Sequence, residues 1–257
     1  MLSTLLIRMC LSCMAALLVV SCSDDSTSAS LKDSNEGWWN SSNISSISNG
    51  LNLVSTTLRF NKADNTNSDR DSQWFYFFDG NGAPASPASL ALNGVSLSSV
   101  LDRQAGNTAM TWNGANHVWT VGGTGSIPSY SDTLASLNRF DVTAPVSFTD
   151  TISASSGVVV TWASPGSIDS VLLEVDYDYS TSVMFDSTVG ASNWRRLKVV
   201  ANTGSHTLSA GDLSGGPNSG FVSITVSAIK YKTRTIQGFP VRTFCISSSR
   251  VVCPVGN

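Results

Sequence analysis

The sequence predicts an all-β protein with two consecutive β-sandwich-like domains that follow a disordered, Ser-rich tether. Three observations predict this architecture. From about residue 51 onward, short stretches rich in β-branched and aromatic residues recur along the chain. Gly, Pro and Asn separate these stretches, and helical periodicity is almost absent. The length of 257 residues leaves room for two such domains after the tether.

The first predicted domain spans residues 51–142, and its family is left unassigned. It opens with two strand patterns, LVSTTLRF at 53–60 and QWFYFFD at 73–79. Two Asn-Gly dipeptides follow, at 93–94 and 113–114, and this pair favours positive φ at both positions of a hairpin turn. We therefore expect a hairpin at each dipeptide.

The second predicted domain spans residues 143–257. Its strand patterns recur with Gly, Pro or Asn turns between them, at 156–162, 171–179, 195–200, 204–214, 221–229 and 231–236. Over about 143–241 the chain resembles fibronectin type III and related immunoglobulin-like domains. Trp162 at the end of an apolar strand and the alternating LEVDYDY strand after it carry this resemblance, together with the strand-loop-strand HTLSAGDLSGGPNSGFVSITVSA. The resemblance implies a β-sandwich but no particular activity.

The N-terminus is typical of an exported protein. Arg8 is followed by an apolar run from Met9 to Val20, which fits a signal peptide over residues 1–21 and is shorter than the about 20 residues of a spanning helix. The run ends in VVSC at 19–22, which resembles the lipobox of bacterial lipoproteins. This resemblance implies cleavage before Cys22, diacylglycerol on its sulfur and a further acyl chain on its new amino group. Membrane lipid is then a partner, and a signal peptide without lipidation is the alternative.

The residues after the cysteine indicate a location and a linker. Asp24 and Asp25 resemble a signal that sends some lipoproteins to the outer face of the outer membrane. Residues 22–50 are predicted as a tether, since ten of the 28 residues after Cys22 are Ser and such a stretch buries too little apolar surface to fold. We expect the pair Trp38-Trp39 to dock on the first domain or near the membrane interface.

Two cysteines besides Cys22 remain after processing. In an oxidising compartment an even count favours a disulfide, so Cys245 and Cys253 are predicted to close the short loop CISSSRVVC, which is worth about 2–3 kcal/mol in the entropy model. A free-thiol role is the alternative.

Charge excludes one class of partner. Removal of Arg8 with the signal leaves 14 basic and 18 acidic residues, a net charge of −4, and only 13% of all residues are charged. No basic stripe suited to nucleic acid occurs, so nucleic acid is not expected as a partner. The short basic stretch KYKTR at 230–234 is predicted to keep a strand edge soluble.

Catalytic and binding motifs are few. The sequence has two histidines, two glutamates and neither a G-x-S-x-G nor an H-E-x-x-H pattern, so we expect no catalytic residues, no metal site and no cofactor. Three rings are candidates for stacking on sugars: Trp74, Trp112 and Trp119. Trp162 and Trp194 are instead predicted as core.

The function predicted from these features is that of a lipid-anchored, surface-exposed outer-membrane protein. Its role is predicted as binding, adhesion or spacing rather than catalysis. Glycan capture in a surface nutrient-uptake system is the alternative, and a secreted glycan-active or other hydrolase is the weaker one. A glycan or protein ligand is thus a possible partner, and the sequence does not indicate an oligomeric state.

Overall fold

The computed structural model describes residues 50–61, 67–79, 83, 85–97, 104–105, 110–176, 195–216 and 218–256. Within these ranges the chain forms strands and turns without a helix, which confirms the all-β class. The predicted signal peptide and the predicted tether lie outside the described residues, except for Gly50, where the first strand begins. Trp38, Trp39 and Trp194 also lie outside them.

Fourteen strands are described. In chain order they are β1 (Gly50–Asn61), β2 (Asn67–Phe78), β3 (Ser89–Leu92), β4 (Val95–Ser96), β5 (Gln104–Ala105), β6 (Asn116–Gly122), β7 (Tyr130–Ala135), β8 (Val142–Ala144), β9 (Val158–Trp162), β10 (Ser170–Asp176), β11 (Arg195–Ala201), β12 (Ser205–Leu208), β13 (Phe221–Ile236) and β14 (Phe239–Pro254).

The strands form three sheets. The largest has seven strands in the order β11-β10-β13-β14-β1-β2-β5. A four-stranded sheet has the order β4-β3-β6-β7, and a three-stranded sheet has the order β12-β9-β8. Most neighbours are antiparallel, but β1 and β14 run parallel, from Leu51 beside Val241 to Phe60 beside Arg250.

A hairpin of two 16-residue strands, β13 and β14, forms the centre of the large sheet. Its two-residue turn, Gln237-Gly238, has φ values of 53° and 81°, which match the primed turns that suit twisted hairpins. The sequence patterns at 221–229 and 231–236 are two parts of the single strand β13. On one side of β13 the residues change along the strand from the apolar Val222, Ile224 and Val226 to Lys230 and Lys232. This change interrupts the apolar pattern, so the sequence predicted two strands instead of one.

Two hydrophobic cores lie on one face of the large sheet, which we call the front face. It carries the odd-numbered residues of β14, because alternate residues of a strand point to the same side. Val241 and Cys245 belong to the core under the four-stranded sheet, which also contains Trp119. Val251 and Cys253 belong to the core that contains Trp162 of the three-stranded sheet. The large sheet runs through both cores, and residues from both sides of position 142 contribute to each core, such as Phe140 in one and Val241 in the other. The division into two domains at residue 142 stays a prediction.

The two Asn-Gly predictions have different outcomes. The hairpin at residues 93–94 is confirmed: Asn93 and Gly94 have φ values of 50° and 79°, and Leu92 pairs with Val95. The hairpin at 113–114 is wrong, because Asn113 forms an isolated bridge with Asn138 instead. The strand β6, which carries Trp119, pairs with β3 and β7.

Among the described strands, the basic stretch 230–234 lies at an edge of the large sheet; the solubilising role predicted for it stays a prediction. β10 pairs with β13 only between residues 223 and 227, so among the described strands the rest of β13 pairs on one side alone, with β14.

Candidate functional site

Two of the predicted site residues fall beyond what the structure describes in full. Cys22, the predicted lipidation site, lies outside the described residues. Trp74 lies in β2, where its backbone pairs with Val54 of β1 and Gln104 of β5, but its side chain is outside the described part.

The predicted disulfide between Cys245 and Cys253 is wrong. Both thiols are free and buried. The two residues lie on the same unbroken strand, β14, so eight residues of about 3.3 Å each place them about 26 Å apart, whereas a disulfide needs Cα atoms within about 7 Å. The segment stays extended because β13 pairs with it along its whole length.

Burial also determines the chemistry of the two thiols. Desolvation raises the pKa of Cys245 and the pKa of Cys253 to about 12 each. A thiol with such a pKa carries almost no thiolate at neutral pH, and the thiolate is the reactive form. Each cysteine therefore acts as a small apolar core residue, one in each core.

The structure corrects the glycan-stacking prediction for Trp112 and Trp119. The two residues are 5% and 0% exposed, and both belong to the core under the four-stranded sheet. Stacking on a sugar needs an open ring face, which neither indole offers. Trp162, predicted as core, is buried as expected, and its Nε1 donates a hydrogen bond of 3.0 Å to Asn202 Oδ1. Of the three candidate rings, only Trp74 is left untested.

A buried serine–histidine pair is one feature that the sequence analysis missed. Ser55 Oγ lies 2.9 Å from His117 Nδ1 and 3.2 Å from the carbonyl oxygen of Phe244. The other ring nitrogen, His117 Nε2, lies 3.0 Å from the carbonyl oxygen of Thr111. A carbonyl only accepts, so Nε2 carries the proton and donates it. The ring also meets Trp112 edge-on, with centroids 4.9 Å apart.

This pair has the spacing of a nucleophile and its base, but its surroundings differ from those of an open active site. Ser55 and His117 are buried, so substrate has no access to them in the folded state described. The partner of Nε2 is a backbone carbonyl rather than a carboxylate. Burial lowers the pKa of His117, so the ring is neutral at physiological pH. In this geometry the pair bridges β1, β6 and β14 inside the core.

Charged residues meet between the two cores. We call them the seam network: Arg59, Asp69, Asp71, Arg139 and Asp141. Arg59 makes a two-pronged contact with Asp69, from Nε to Oδ1 at 2.8 Å and from Nη2 to Oδ2 at 3.0 Å, and reaches Asp141 at 3.2 Å. This geometry raises the pKa of Arg59 and lowers the pKa of Asp69, chiefly through their mutual hydrogen bond.

The second half of the seam network is less exposed. Nη2 of Arg139 lies 2.8 and 2.7 Å from the two oxygens of Asp71, whose side chain is 9% exposed. Oδ2 of Asp71 also accepts the backbone N–H of Met110 at 3.0 Å. The network ties β1 and β2 to the segment that leads into the second core.

Serine hydroxyls of β14 lie beside the seam network, on the same face of the large sheet. Ser247 Oγ donates to the carbonyl oxygen of Asn138 at 2.7 Å, and Ser249 Oγ accepts the backbone N–H of Val142 at 2.9 Å. These bonds fix the 138–142 segment onto the central strand. The apolar front face is thus interrupted by a polar band, which explains why the sheet carries two cores rather than one.

A third polar cluster joins β7 to the long hairpin. Lys232 Nζ donates to Asp132 Oδ1 at 2.8 Å, and Thr243 Oγ1 donates to the other carboxylate oxygen at 2.8 Å. Arg234 approaches the same carboxylate at 3.6 Å. Because Asp132 is almost fully buried, two cations and a hydroxyl offset the cost of burying its charge.

The described residues contain no group of three or more His, Cys, Asp or Glu side chains that could hold a metal ion. Nor does any helix in that part of the chain have the length and apolar character needed to cross a membrane.

Neither a protein-family model, nor a curated protein, nor a solved structure matches this chain. The structure itself therefore gives its class: an all-β protein in which one seven-stranded sheet supports two cores. The resemblance of residues 143–241 to immunoglobulin-like domains stays a prediction.

Proposed function

We propose that this chain is a lipid-anchored protein of the bacterial outer membrane, exposed at the cell surface, that serves in binding, adhesion or spacing rather than catalysis. The sequence VVSC at 19–22 carries the proposal, because it follows a charged residue and an apolar run in the order that lipoprotein signals require. Cleavage before Cys22 and acylation of its sulfur and amino group then create the anchor.

The energy of such an anchor favours stable attachment. Each buried methylene contributes about 0.8 kcal/mol, so one chain binds marginally and two or more hold a protein firmly. The 27 residues between Cys22 and the first strand would span about 30 Å as a flexible coil, enough to clear the lipid headgroups. The chain as a whole is poor in charge, with 13% charged residues.

The polar clusters of the body support the non-catalytic role. The described serine–histidine pair is enclosed, and the seam network consists of carboxylates already paired with arginines. Both arrangements stabilise the fold, and neither leaves a nucleophile or an acid open to substrate in the described state.

Substitution of the proposed lipid site tests the anchor. Cys22→Ala should abolish incorporation of a palmitate analogue and leave uncleaved precursor, or release protein into the soluble fraction. Cys13→Ala is the matched control, because it removes a thiol nine residues earlier that lies outside the VVSC sequence. Detergent-phase partitioning and the mass of the N-terminal peptide report the outcome. Membrane attachment and labelling that persist in Cys22→Ala would contradict the proposal.

Protease treatment of intact cells tests the exposed location. Surface protein should be degraded without breaking the cells, whereas a periplasmic protein of the same preparation stays intact. Replacement of Asp24 and Asp25 by Asn should shift the protein to a protected location if these residues direct export. Full protection of the unaltered protein would restrict the proposal to an anchor that faces the periplasm.

A further inference from the structure

A buried glutamine lies directly opposite Ser55 in the large sheet. Gln73 of β2 pairs with Ser55 of β1 in the antiparallel ladder, and both residues are 0% exposed. Directly opposed residues of neighbouring strands point to the same face, with Cβ atoms about 4.5–5.5 Å apart. Here this is the front face, because Ser55 also pairs with Cys245. The carboxamide carbon of a glutamine lies two bonds beyond Cβ, so the side chain of Gln73 is long enough to bring that carbon to the Ser55 hydroxyl.

The contact with His117 prepares the Ser55 hydroxyl to lose its proton. Since Nε2 donates its proton to the Thr111 carbonyl, Nδ1 holds a lone pair, and this atom lies 2.9 Å from Ser55 Oγ. The serine must therefore donate its single proton in this bond. The enclosure of the pair excludes a substrate that arrives from solvent. It does not exclude a reactive group that belongs to the same core.

We infer that Ser55 and Gln73 form an intramolecular ester, with His117 as the base. A bond forms between Ser55 Oγ and Gln73 Cδ while His117 Nδ1 takes the hydroxyl proton. The bond from Cδ to the carboxamide nitrogen then breaks, and His117 returns the proton to this nitrogen, which leaves as ammonia. One hydroxyl and one carboxamide thus give one ester and one ammonia, so the step needs no oxidant, reductant or further reactant.

The surroundings of the pair favour this step. The fold holds hydroxyl and carboxamide in opposed positions of one ladder, which replaces an encounter in solution. Nε1 of Trp112 is buried without an acceptor in the described structure, and its ring adjoins that of His117 at 4.9 Å. Such an N–H can stabilise the negative charge that develops on the carboxamide oxygen. The core also excludes water, which protects the ester from hydrolysis.

The ester would join β1 covalently to β2. Because β1 begins at Gly50, the chain that precedes the described body enters it through this strand. A pull on the N-terminal side therefore acts on β1 first, and the ester makes β2 share the load. The reaction depends on the folded body alone and does not rest on lipidation of Cys22.

Mass spectrometry of the purified, unaltered protein tests the inference. After tryptic digestion the peptide of residues 33–59 should be joined to that of residues 71–103, with a combined mass lower by about 17 Da, the mass of the ammonia lost. Fragmentation should place the bond at Ser55 and Gln73. Mild alkali should separate the peptides and leave a carboxylate at position 73. A succinimide at Asn93-Gly94 would remove the same mass but leave the two peptides unjoined.

Three variants test the role of each group. Ser55→Ala should abolish the link. Ser247→Ala is the matched control and should keep it, because Ser247 is also a buried serine of the front face but donates to the carbonyl oxygen of Asn138. His117→Gln should slow the formation of the link by about 100-fold or more, followed as the linked fraction during incubation of freshly purified protein at neutral pH.

Four outcomes would overturn the inference. Unjoined peptides of full mass from the folded, unaltered protein would show that no ester forms, and this measurement requires no variant to fold. A link that persists in Ser55→Ala would place the bond elsewhere. Loss of the Cys245 thiol together with the ammonia would assign the bond to sulfur. Equal rates in His117→Gln and the unaltered protein would remove His117 as the base.

Discussion

Arg139 holds both carboxylate oxygens of Asp71 from a single nitrogen, at 2.8 and 2.7 Å, at the junction between the two cores. The two residues are 68 positions apart in the chain, so the contact is made only when β2 and the segment before β8 come together. Asp71 is also bonded to the backbone of Met110. This carboxylate therefore joins three separate parts of the chain.

We predict that Asp71→Asn lowers the free energy of unfolding by about 1–3 kcal/mol, because Arg139 would keep its charge in a partly buried position with a weaker partner. Chemical denaturation measures the change. Asp169→Asn is the matched control: this carboxylate is exposed, and its loss should change stability by less than about 0.5 kcal/mol. Equal effects of the two substitutions would show that the seam network contributes nothing specific.

The burial of Trp119 leads to a prediction about its role. Trp119→Ala should lower the free energy of unfolding by about 3–5 kcal/mol, since it leaves a cavity in the core under the four-stranded sheet. Trp119→Phe, which keeps most of the volume, should cost less than half as much. A glycan-binding defect without loss of stability in Trp119→Ala would contradict the core role.

The two free thiols give a chemical prediction. Native protein should resist alkylation at neutral pH, because Cys245 and Cys253 are buried and their pKa values are raised to about 12. Both should react fully after unfolding in guanidinium without reductant. A reducing agent should leave the melting temperature unchanged. Two thiols that react only after reduction would instead demonstrate a disulfide.

Local patterns in the sequence were sufficient to predict several strands. Residues 156–162 are rich in β-branched side chains and residues 173–179 alternate between apolar or aromatic and acidic side chains. The structure has β9 and β10 at these places, as far as Asp176 is described. The turn at Asn93-Gly94 follows from the conformational preference of that pair alone. Each of these features depends on residues that are close together in the chain.

The remaining features depend on contacts between distant residues. Leu51 lies beside Val241, 190 positions later, and no local pattern indicates that the first strand of the body pairs with the last. Pairing with β13 along the whole strand keeps residues 245–253 extended, which is why a loop closed by a disulfide was the wrong prediction. The sequence around Trp112 and Trp119 does not show whether each ring faces a sugar or the core. The packing of the four-stranded sheet decides this, and it buries both rings. Ser55 and His117 are 62 positions apart, and neither lies in a recognisable motif.

His117 should make stability depend on pH below about 7. Burial lowers its pKa below the ordinary value of 6.5, so in this range the unfolded chain binds more protons than the folded one. Stability therefore falls as the pH drops through about 6.5. The carboxylates affect stability in a separate range of pH. The pKa of Asp69 is lowered, and the pKa of Asp212 is lowered to about 2, so both groups reduce stability only when the pH falls below about 4.

We predict that His117→Gln is less stable than the unaltered protein at pH 8, because the variant loses the packing of the imidazole ring against Trp112. Its free energy of unfolding should also depend less on pH between 7.5 and 5.5. Urea denaturation at a series of pH values measures both effects. His206→Gln is the comparison variant: the pKa of His206 is also lowered by burial, but this ring is only half-buried, so more of the slope should remain. A slope in His117→Gln as steep as that of the unaltered protein would contradict this account, because it would mean that His117 binds its proton equally well in the folded and the unfolded chain.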